Sequence, residues 1–147
     1  MTVTIGYTTD DDFIAFALAR GVTVTAPNAA IALTKAMDYM ETKQYKGYKT
    51  EEDQDNSWPR QYVYVDNVLL DSAIVPSGIV KAQHVIALSI NNGYDPLATI
   101  DRAIKREKVD VLEVEYQQNA SPTAILRSIN AALSKYVASA TGVMRSL

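Results

Sequence analysis

The stretch Asn56-Ser57-Trp58-Pro59-Arg60 contains the only tryptophan of this 147-residue chain. A proline disfavours α geometry in the residue before it, so Trp58 is predicted to be extended. Pro59 also fixes its own φ and has no N–H group to donate. The stretch is therefore predicted to form a stiff corner that carries one large aromatic ring and one guanidinium group.

Two interpretations of this corner are open. A large aromatic side chain in a small domain usually fills the core. Trp and Arg are also the side chains that most often anchor contacts between proteins. The second interpretation makes Trp58, Pro59 and Arg60 predicted interface residues that dock on a neighbouring subunit.

The composition indicates one globular domain with one core. Hydrophobic residues make up 48% of the chain and charged residues 21%, which is ordinary for a domain of this size. The chain has no cysteine, so a disulfide framework, a thiolate nucleophile and a Cys-based metal site are excluded. No apolar run approaches the roughly 20 residues that span a bilayer, and no signal-peptide pattern is visible. We therefore expect no membrane partner.

The charge balance bears on the kind of partner. The net charge is −3 and the sequence pI is about 5.1. A tight binder of duplex DNA usually presents a concentrated basic face, and this composition argues against one. Nine tyrosines stand against two phenylalanines, and tyrosine suits half-buried, wet surfaces such as subunit contacts.

Hydrophobic periodicity and capping residues predict four main helices. Thr9 is the predicted N-cap of the first, which runs to about residue 20. Asn28 is the predicted N-cap of the second, which runs to about residue 44. The third covers about residues 76–92, and the fourth begins at Ser121-Pro122 and fades near residue 138. The inward face of the first helix is predicted to consist of Phe13, Ile14, Ala17 and Leu18.

The remaining segments predict strands, turns and a tail. Residues 1–7 alternate as a short strand or extended arm, and residues 46–56 form a polar loop. Asp66-Asn67 separates two β-rich runs and predicts a tight hairpin. A second hairpin is predicted across residues 105–116, where basic residues precede an alternating run.

The predicted fold class is thus α+β and mainly α. A small bundle of about four helices with one or two β-hairpins occupies residues 1–140, and an extended C-terminal tail follows at residues 141–147. The tail carries apolar side chains that would favour docking on another surface. Its predicted interface residues are Val143, Met144, Arg145 and Leu147.

Residue groups that could bind a metal fail on geometry. Asp10, Asp11 and Asp12 follow one another in a predicted helix, so their side chains point in different directions. The pattern Asp53, Asp55, Ser57 has EF-hand spacing, but the glycine and glutamate that such a loop requires are replaced by Trp58 and Tyr64. We expect no metal site and no cofactor.

Residues that could catalyse a reaction also lack the neighbouring groups that catalysis would require. His84 is the only histidine, and it is predicted to be a partly buried structural residue in the third helix. Glu113 and Glu115 stand on the exposed face of a predicted strand, where nothing would raise a carboxyl pKa. The chain is therefore predicted not to be an enzyme.

The order of parts resembles a family of tailed-phage proteins that carries the label DnaT-like single-stranded-DNA-binding. It is also similar to the head–tail connector, or adaptor, proteins of tailed phages. The resemblance runs from about Tyr7 to Leu133. The segments that carry it are Arg20-Gly21, Ala36-Met37-Asp38-Tyr39-Met40, Lys46-Gly47-Tyr48-Lys49-Thr50, Trp58-Pro59-Arg60, Val75-Pro76, Lys108-Val109 and Val114-Glu115-Tyr116.

The connector resemblance implies a mainly helical subunit that assembles into a closed ring, commonly twelvefold. Such a ring lies between the portal and a tail or nozzle protein, and the C-terminal segment often reaches the portal. Double-stranded DNA passes through the lumen without sequence-specific binding. The resemblance thus implies a virion protein at the head–tail interface that is made in the host cytoplasm.

The family label implies a different function, the binding of single-stranded DNA. Tyrosines would then act as stacking platforms for bases beside a basic group. The densest basic group of the chain is Arg102, Lys105, Arg106 and Lys108. The same residues are also compatible with a solvated hairpin whose charges pair across strands.

Overall fold

The computed structural model describes residues 2–97 and 122–138. Four helices lie wholly within these residues: α1 Asp10–Leu18, α2 Ala26–Met40, α3 Ser77–Asn91 and α4 Pro122–Leu133. Three small antiparallel pairs of strands accompany them. The α+β, mainly α class is confirmed. The predicted hairpin at residues 105–116, the basic group and the tail at residues 141–147 lie outside the described residues.

Helix α1 begins as predicted. The Thr9 hydroxyl oxygen accepts a hydrogen bond from the Asp12 N–H at 3.1 Å, which satisfies one of the free donors of the first turn. Phe13 and Ala17 are fully buried, so two of the four predicted inward residues are in the core. Leu18 is instead 63% exposed. It is the last helical residue, and its prediction as a core residue was wrong.

Helix α2 starts earlier and ends earlier than predicted. Its N-cap is Thr25 rather than Asn28, and Pro27 lies within the first turn. A proline is tolerated there because its missing N–H would have no partner in the helix. The helix ends at Met40, four residues before the predicted end.

The core lies where α2 packs on α3, with α1 against α2 and α4 against α3. Alanines allow close approach of these helices, and long aliphatic side chains fill the space between them. Every side chain of this central set is fully buried: Phe13, Leu33, Ala36, Met40, Ile79, Ala82, Ile86 and Leu133.

The N-terminal residues form a hairpin rather than the predicted arm or single strand. Strand β1, Thr4–Ile5, pairs with β2, Thr8–Thr9. Gly6 takes a positive φ of 65° in the turn. A Cβ at Gly6 would lie 2.4 Å from the sulfur of Met37, so glycine allows both the turn and the close approach to α2.

Two further strand pairs follow α2. Strand β5, Tyr64–Val65, pairs with β6, Val68–Leu69, across Asp66 and Asn67, which both have positive φ; the predicted hairpin is confirmed. Strand β3, Tyr48–Lys49, pairs with β4, Arg60–Gln61. The prediction of a plain loop over residues 46–56 was therefore wrong at β3.

The residues after α4 close the bundle. Val137 forms a β-bridge with Tyr45. The Lys46 N–H donates to Tyr136 O at 2.9 Å, and the Ala138 N–H donates to Gln44 O at 2.8 Å. This pairing fixes the end of the described chain beside residues 44–46. Within the described ranges, no helix has the length and hydropathy that a membrane span would need.

Candidate functional site

Trp58 lies in the core of its own chain. It is 3% exposed, and its ring is edge-on to Tyr45 at 5.5 Å and to Tyr136 at 5.6 Å. The peptide bond that joins it to Pro59 is cis. These contacts confirm the interpretation in which the indole fills the core. The indole N–H finds no partner among the described residues.

Arg60 is occupied by backbone carbonyls of the same corner. Its Nε donates to Lys46 O at 2.7 Å, and its two terminal nitrogens donate to Ser57 O at 3.1 Å and Gly47 O at 2.9 Å. The guanidinium group thereby holds β4 against the segment that precedes β3. Its part in an interface, like that of Trp58 and Pro59, stays a prediction, because no partner chain is present.

A carboxylate at the end of α2 holds the same corner from the other side. Glu41 accepts hydrogen bonds from the Ser57 hydroxyl at 2.9 Å, the Ser57 N–H at 3.2 Å and the Tyr7 hydroxyl at 3.2 Å. Burial, and then the charge of Glu41, raise the pKa of Tyr7 far above its ordinary value. The phenol is therefore held neutral as a donor. Glu41 is itself exposed, and its bonds to residues 7 and 57 depend on contacts that are distant in the sequence.

His84 is a structural residue, as predicted. Its Nε2 lies 2.8 Å from the Thr8 hydroxyl, and its ring lies against Phe13 and Phe16 at 6.0 and 4.9 Å between centroids. Burial lowers the pKa of His84 below its ordinary value. No set of acids and histidines among the described residues is arranged to hold a metal ion.

The lowered pKa of His84 predicts a loss of stability in acid. The unfolded chain binds a proton near pH 6.5 while the folded chain resists it, so stability rises with pH across this interval. The stability that comes from the neutral His84 imidazole is fully present above the unfolded pKa. It is lost as the pH falls through the unfolded pKa toward the folded pKa. Thermal melts at pH 7.5 and 5.5 should show a smaller drop for His84→Gln than for the wild type. An equal drop in both proteins would contradict the assignment.

The strand pairs that follow α2 leave a group of large side chains uncovered. Tyr64 and Leu69 are cross-strand partners, and Tyr48 meets Tyr62 edge-on at 6.1 Å. Each member is between 53% and 67% exposed. We call this group the hairpin patch, and it consists of Tyr48, Tyr62, Tyr64, Val68 and Leu69.

Exposed acids lie close to the hairpin patch along the chain. Asp66 forms the turn between β5 and β6, and Asp71 follows β6 closely. The Thr50 hydroxyl donates to Ser72 O at 2.5 Å, which brings the acidic loop after β3 beside the end of β6. We call these carboxylates the acidic rim, and its members are Glu51, Glu52, Asp66 and Asp71.

The basic side chains near the patch are engaged with the backbone. Lys46 Nζ donates to Tyr64 O and Lys49 Nζ to Gln54 O, each at 3.4 Å. Both ammonium groups keep their positive charge, so the edge of the patch presents these two cations together with the carboxylates of the acidic rim. Such a surface favours an apolar partner that carries basic side chains for the acidic rim.

Two shallow grooves lie elsewhere on the surface. One, of about 400 Å³, runs along the outer face of α2 past Ile31, Lys35 and Asp38. The other, of about 310 Å³, lies between Lys43, at the end of α2, and Val137 and Ala138 after α4. Neither groove contains a paired acid and base suited to catalysis.

The structure thus brings together the three residues of the Trp-Pro-Arg corner, with Trp58 buried in the core and Pro59 and Arg60 partly exposed. The hairpin patch was not predicted, although it holds three of the nine tyrosines. The predicted tail residues Val143, Met144, Arg145 and Leu147 lie outside the described residues. So do the predicted DNA-facing residues Arg102, Lys105, Arg106 and Lys108.

Comparison with known proteins gives a match at the level of a family. Neither a curated protein nor a solved structure matches the chain. A family-level sequence model, with the description "Putative DnaT-like ssDNA binding protein", matches residues 6–147. That range covers nearly the whole sequence, including the Trp-Pro-Arg corner and the hairpin patch. The chain therefore belongs to this DnaT-like family.

Proposed function

We propose that the chain is a structural virion protein that forms a ring between portal and tail. As a head–tail connector it would link the two and leave a conduit for the packaged DNA. The observation that carries the proposal is the hairpin patch, since large exposed apolar side chains that are grouped together often mark a contact with another protein. The position in the virion comes from the resemblance of the sequence to phage connectors.

The composition of the patch favours a protein partner over a nucleic acid. Val68 and Leu69 are aliphatic, and aliphatic side chains gain free energy by burial but offer no face for base stacking. The acidic rim would repel phosphates. A protein surface with apolar and basic side chains would complement both the aliphatic side chains of the patch and the carboxylates of the acidic rim.

A closed ring needs a second, different surface on each subunit, because its contacts are head-to-tail. The outer face of α2 is a candidate for that surface. Ile31 is 54% exposed there, and Lys35 lies beside it in the groove. We propose that the hairpin patch of one subunit contacts this face of the next.

The net charge of −3 suits the proposed conduit. A wall that bound many phosphates would hold DNA tightly, because each neutralised phosphate adds to the affinity. A net-negative subunit offers few such contacts. DNA could then slide through the ring in either direction.

The double variant Tyr64→Thr, Leu69→Thr tests the proposed contact. Both residues are exposed, and threonine is well tolerated in strands, so the melting temperature should stay near that of the wild type. Assembly on purified portal, measured by mass photometry, should fall by about tenfold or more, because central apolar contacts carry most of the binding energy. The matched control is Val3→Thr, an exposed residue before β1, which should assemble normally.

Two results would contradict the connector proposal. One is a wild-type chain that stays monomeric with and without portal. The other is a double variant that assembles as well as the control. Electron microscopy of the assembled sample would give the number of subunits in the ring, for which we expect twelve.

The second candidate function is the binding of single-stranded DNA, which the description of the matched family favours directly. In the hairpin patch, Tyr48, Tyr62 and Tyr64 are each more than half exposed, and bases stack on such rings. The basic residues predicted to face DNA would supply phosphate contacts.

A salt titration of oligonucleotide binding separates the two functions. A single-stranded-DNA binder should bind a fluorescent oligonucleotide at micromolar or tighter affinity, with a steep loss as salt rises. The double variant Lys105→Glu, Arg106→Glu should then abolish binding, and Tyr62→Ala should weaken it. For a connector we expect weak binding that neither variant changes.

A further inference from the structure

We propose that Tyr62 is the side chain that anchors one subunit to the next, and that its ring enters the groove on the outer face of α2 in the neighbouring copy. This inference rests on the proposed ring of subunits, since it names the residues through which the hairpin patch binds. The backbone of Tyr62, the exposure of its side chain and the chemistry of the groove support it.

Tyr62 has a backbone conformation that is unfavourable for a tyrosine. Its φ is +63°, in the left-handed region where the Cβ of an ordinary residue comes too close to the carbonyl oxygen that follows it. Among the described residues, Asp66 and Asn67 are the other non-glycine positions with positive φ. Both are residue types that a hairpin turn of this kind prefers. Tyr62 is therefore the residue whose type does not suit its backbone.

The fold explains the bend at position 62 but not the tyrosine. The bend follows Gln61, the last residue of β4, and leads to Val63, which is fully buried. Gly47 packs so closely there that a Cβ on it would lie 2.8 Å from the Val63 side chain. A glycine or asparagine at position 62 would make the same bend with less strain.

Contacts within the chain do not offset the strain. The Tyr62 side chain is 65% exposed, and its ring meets Tyr48 edge-on at 6.1 Å. An aromatic pair of this kind stabilises an exposed surface only modestly. Backbone strain that the fold itself does not require is concentrated at sites that bind a ligand or a partner. The strain thus distinguishes Tyr62 from the other exposed residues of the hairpin patch.

The groove on α2 has room for an aromatic ring. It measures about 400 Å³, and clefts of about 300 Å³ or more receive whole small ligands. Two helical rows with a spacing of four residues line it, Ala30-Thr34-Asp38 and Ile31-Lys35. Grooves between such rows receive the side chains of a packing partner. The Thr34 hydroxyl already donates to Ala30 O at 2.8 Å, so its hydrogen needs no partner from an incoming ring.

The charged residues of the groove suit a tyrosine. The Asp38 carboxylate can accept a hydrogen bond from the phenol hydroxyl, and an ammonium group such as that of Lys35 is attracted to the face of an aromatic ring. The edge of the hairpin patch carries Lys46 and Lys49 together with the acidic rim. Both surfaces therefore present both signs of charge, and a contact between them can pair opposite charges.

Paired glycine variants test the strain in the isolated chain. Tyr62→Gly and Tyr64→Gly each remove an exposed tyrosine from the hairpin patch, but Tyr64 lies in β5, where glycine is unfavourable. The melting temperature should fall by about 3 °C or more for Tyr64→Gly. For Tyr62→Gly it should stay equal or rise, because relief of the strain offsets the lost ring contact. Equal losses in the two variants would overturn the inference.

Variants of the groove test the contact itself. Thr34→Leu fills the groove and keeps good helix propensity, and the matched control Thr34→Ala leaves the groove open. Assembly on purified portal, measured by mass photometry, should fall about tenfold or more for Thr34→Leu and for Tyr62→Gly, but not for Thr34→Ala. The double variant Tyr62→Gly, Thr34→Leu should assemble no worse than either single variant, because both changes remove the same contact.

The outcomes separate this inference from the proposed function. A wild type that stays monomeric with portal would overturn the connector function, and the anchor with it. Normal assembly of Tyr62→Gly would overturn the anchor and leave the connector function intact. Normal assembly of Thr34→Leu, with loss for Tyr62→Gly, would show that Tyr62 binds a surface other than the α2 groove. Loss of oligonucleotide binding by Tyr62→Gly, with assembly unchanged, would assign the ring to single-stranded DNA instead.

Discussion

Replacing Trp58 with alanine should destabilise the fold by about 3–5 kcal/mol, as large-to-small changes of core aromatics do. The indole is 3% exposed, and it packs edge-on against both Tyr45 and Tyr136. Alanine would leave a cavity between the strand after α2 and the end of α4. The melting temperature should fall by about 10 °C or more, measured by circular dichroism at fixed protein concentration.

Two control variants make this result specific. Tyr64→Ala removes an exposed aromatic side chain from the same region and should change the free energy of unfolding by less than about 0.5 kcal/mol. Trp58→Phe keeps an aromatic ring in the core, and the indole N–H that it removes has no partner among the described residues. It should lose less stability than Trp58→Ala. Unchanged melting of Trp58→Ala with loss of assembly would contradict the core assignment and mark a contact residue.

The corner and the tyrosines of the strands beside it therefore have different roles. Trp58 and Arg60 hold the strands together, through ring contacts and through hydrogen bonds to Ser57 and Gly47. The tyrosines of the adjoining strands face outward. A stiff corner under an apolar surface presents that surface in one shape, which lowers the entropy lost when a partner binds.

Local rules predicted the parts of the fold that neighbouring residues determine. Thr9 caps α1 through its own side chain, and Asp66 and Asn67 adopt the positive φ that a two-residue hairpin turn requires. Such features depend on three or four consecutive residues. They are visible in the sequence because no distant contact is needed to stabilise them.

Features set by distant contacts were missed. Strand β3 pairs with β4 across residues 50–59, and the side chain that fixes this pairing is Arg60, through carbonyls of Lys46 and Gly47. Nothing in the composition of the loop reports those bonds. The prediction of a polar loop over residues 46–56 followed from its polar residues, of which the acidic ones are indeed exposed.

The hairpin patch was missed for a related reason. The segment 62–65 alternates tyrosine with valine. Either residue type can face a core, so the pattern does not show which of the two is buried. In the structure Val63 is fully buried and Tyr62 and Tyr64 are exposed. An alternation of apolar with charged residues would have decided the question, and here there is none.

Replacing Gln83 with leucine should destabilise the fold by about 3–5 kcal/mol. The change removes three hydrogen bonds and leaves the buried backbone groups that made them without that partner. Gln83 is fully buried in α3. Its Oε1 accepts from the Tyr7 N–H at 2.9 Å, and its Nε2 donates to Ile5 O at 3.0 Å and Leu33 O at 3.3 Å. These bonds join the β1–β2 hairpin to α2 and α3. The measurement is urea unfolding, with the exposed Gln44→Leu as a control that should lose little.

Gln83→Glu gives a sharper form of the same test. Glutamate keeps the size and the acceptor for the Tyr7 N–H, but it turns a carboxylate oxygen toward the carbonyls of Ile5 and Leu33, where Nε2 now donates. Burial and these carbonyls raise the folded pKa of that glutamate above its unfolded value, so protonation favours the fold. The free energy of unfolding of Gln83→Glu relative to that of Gln83→Leu should therefore be highest below the unfolded pKa of glutamate, about 4.3, and fall as the pH rises from there through the folded pKa. A difference independent of pH would show that residue 83 is not buried against those two carbonyls in solution.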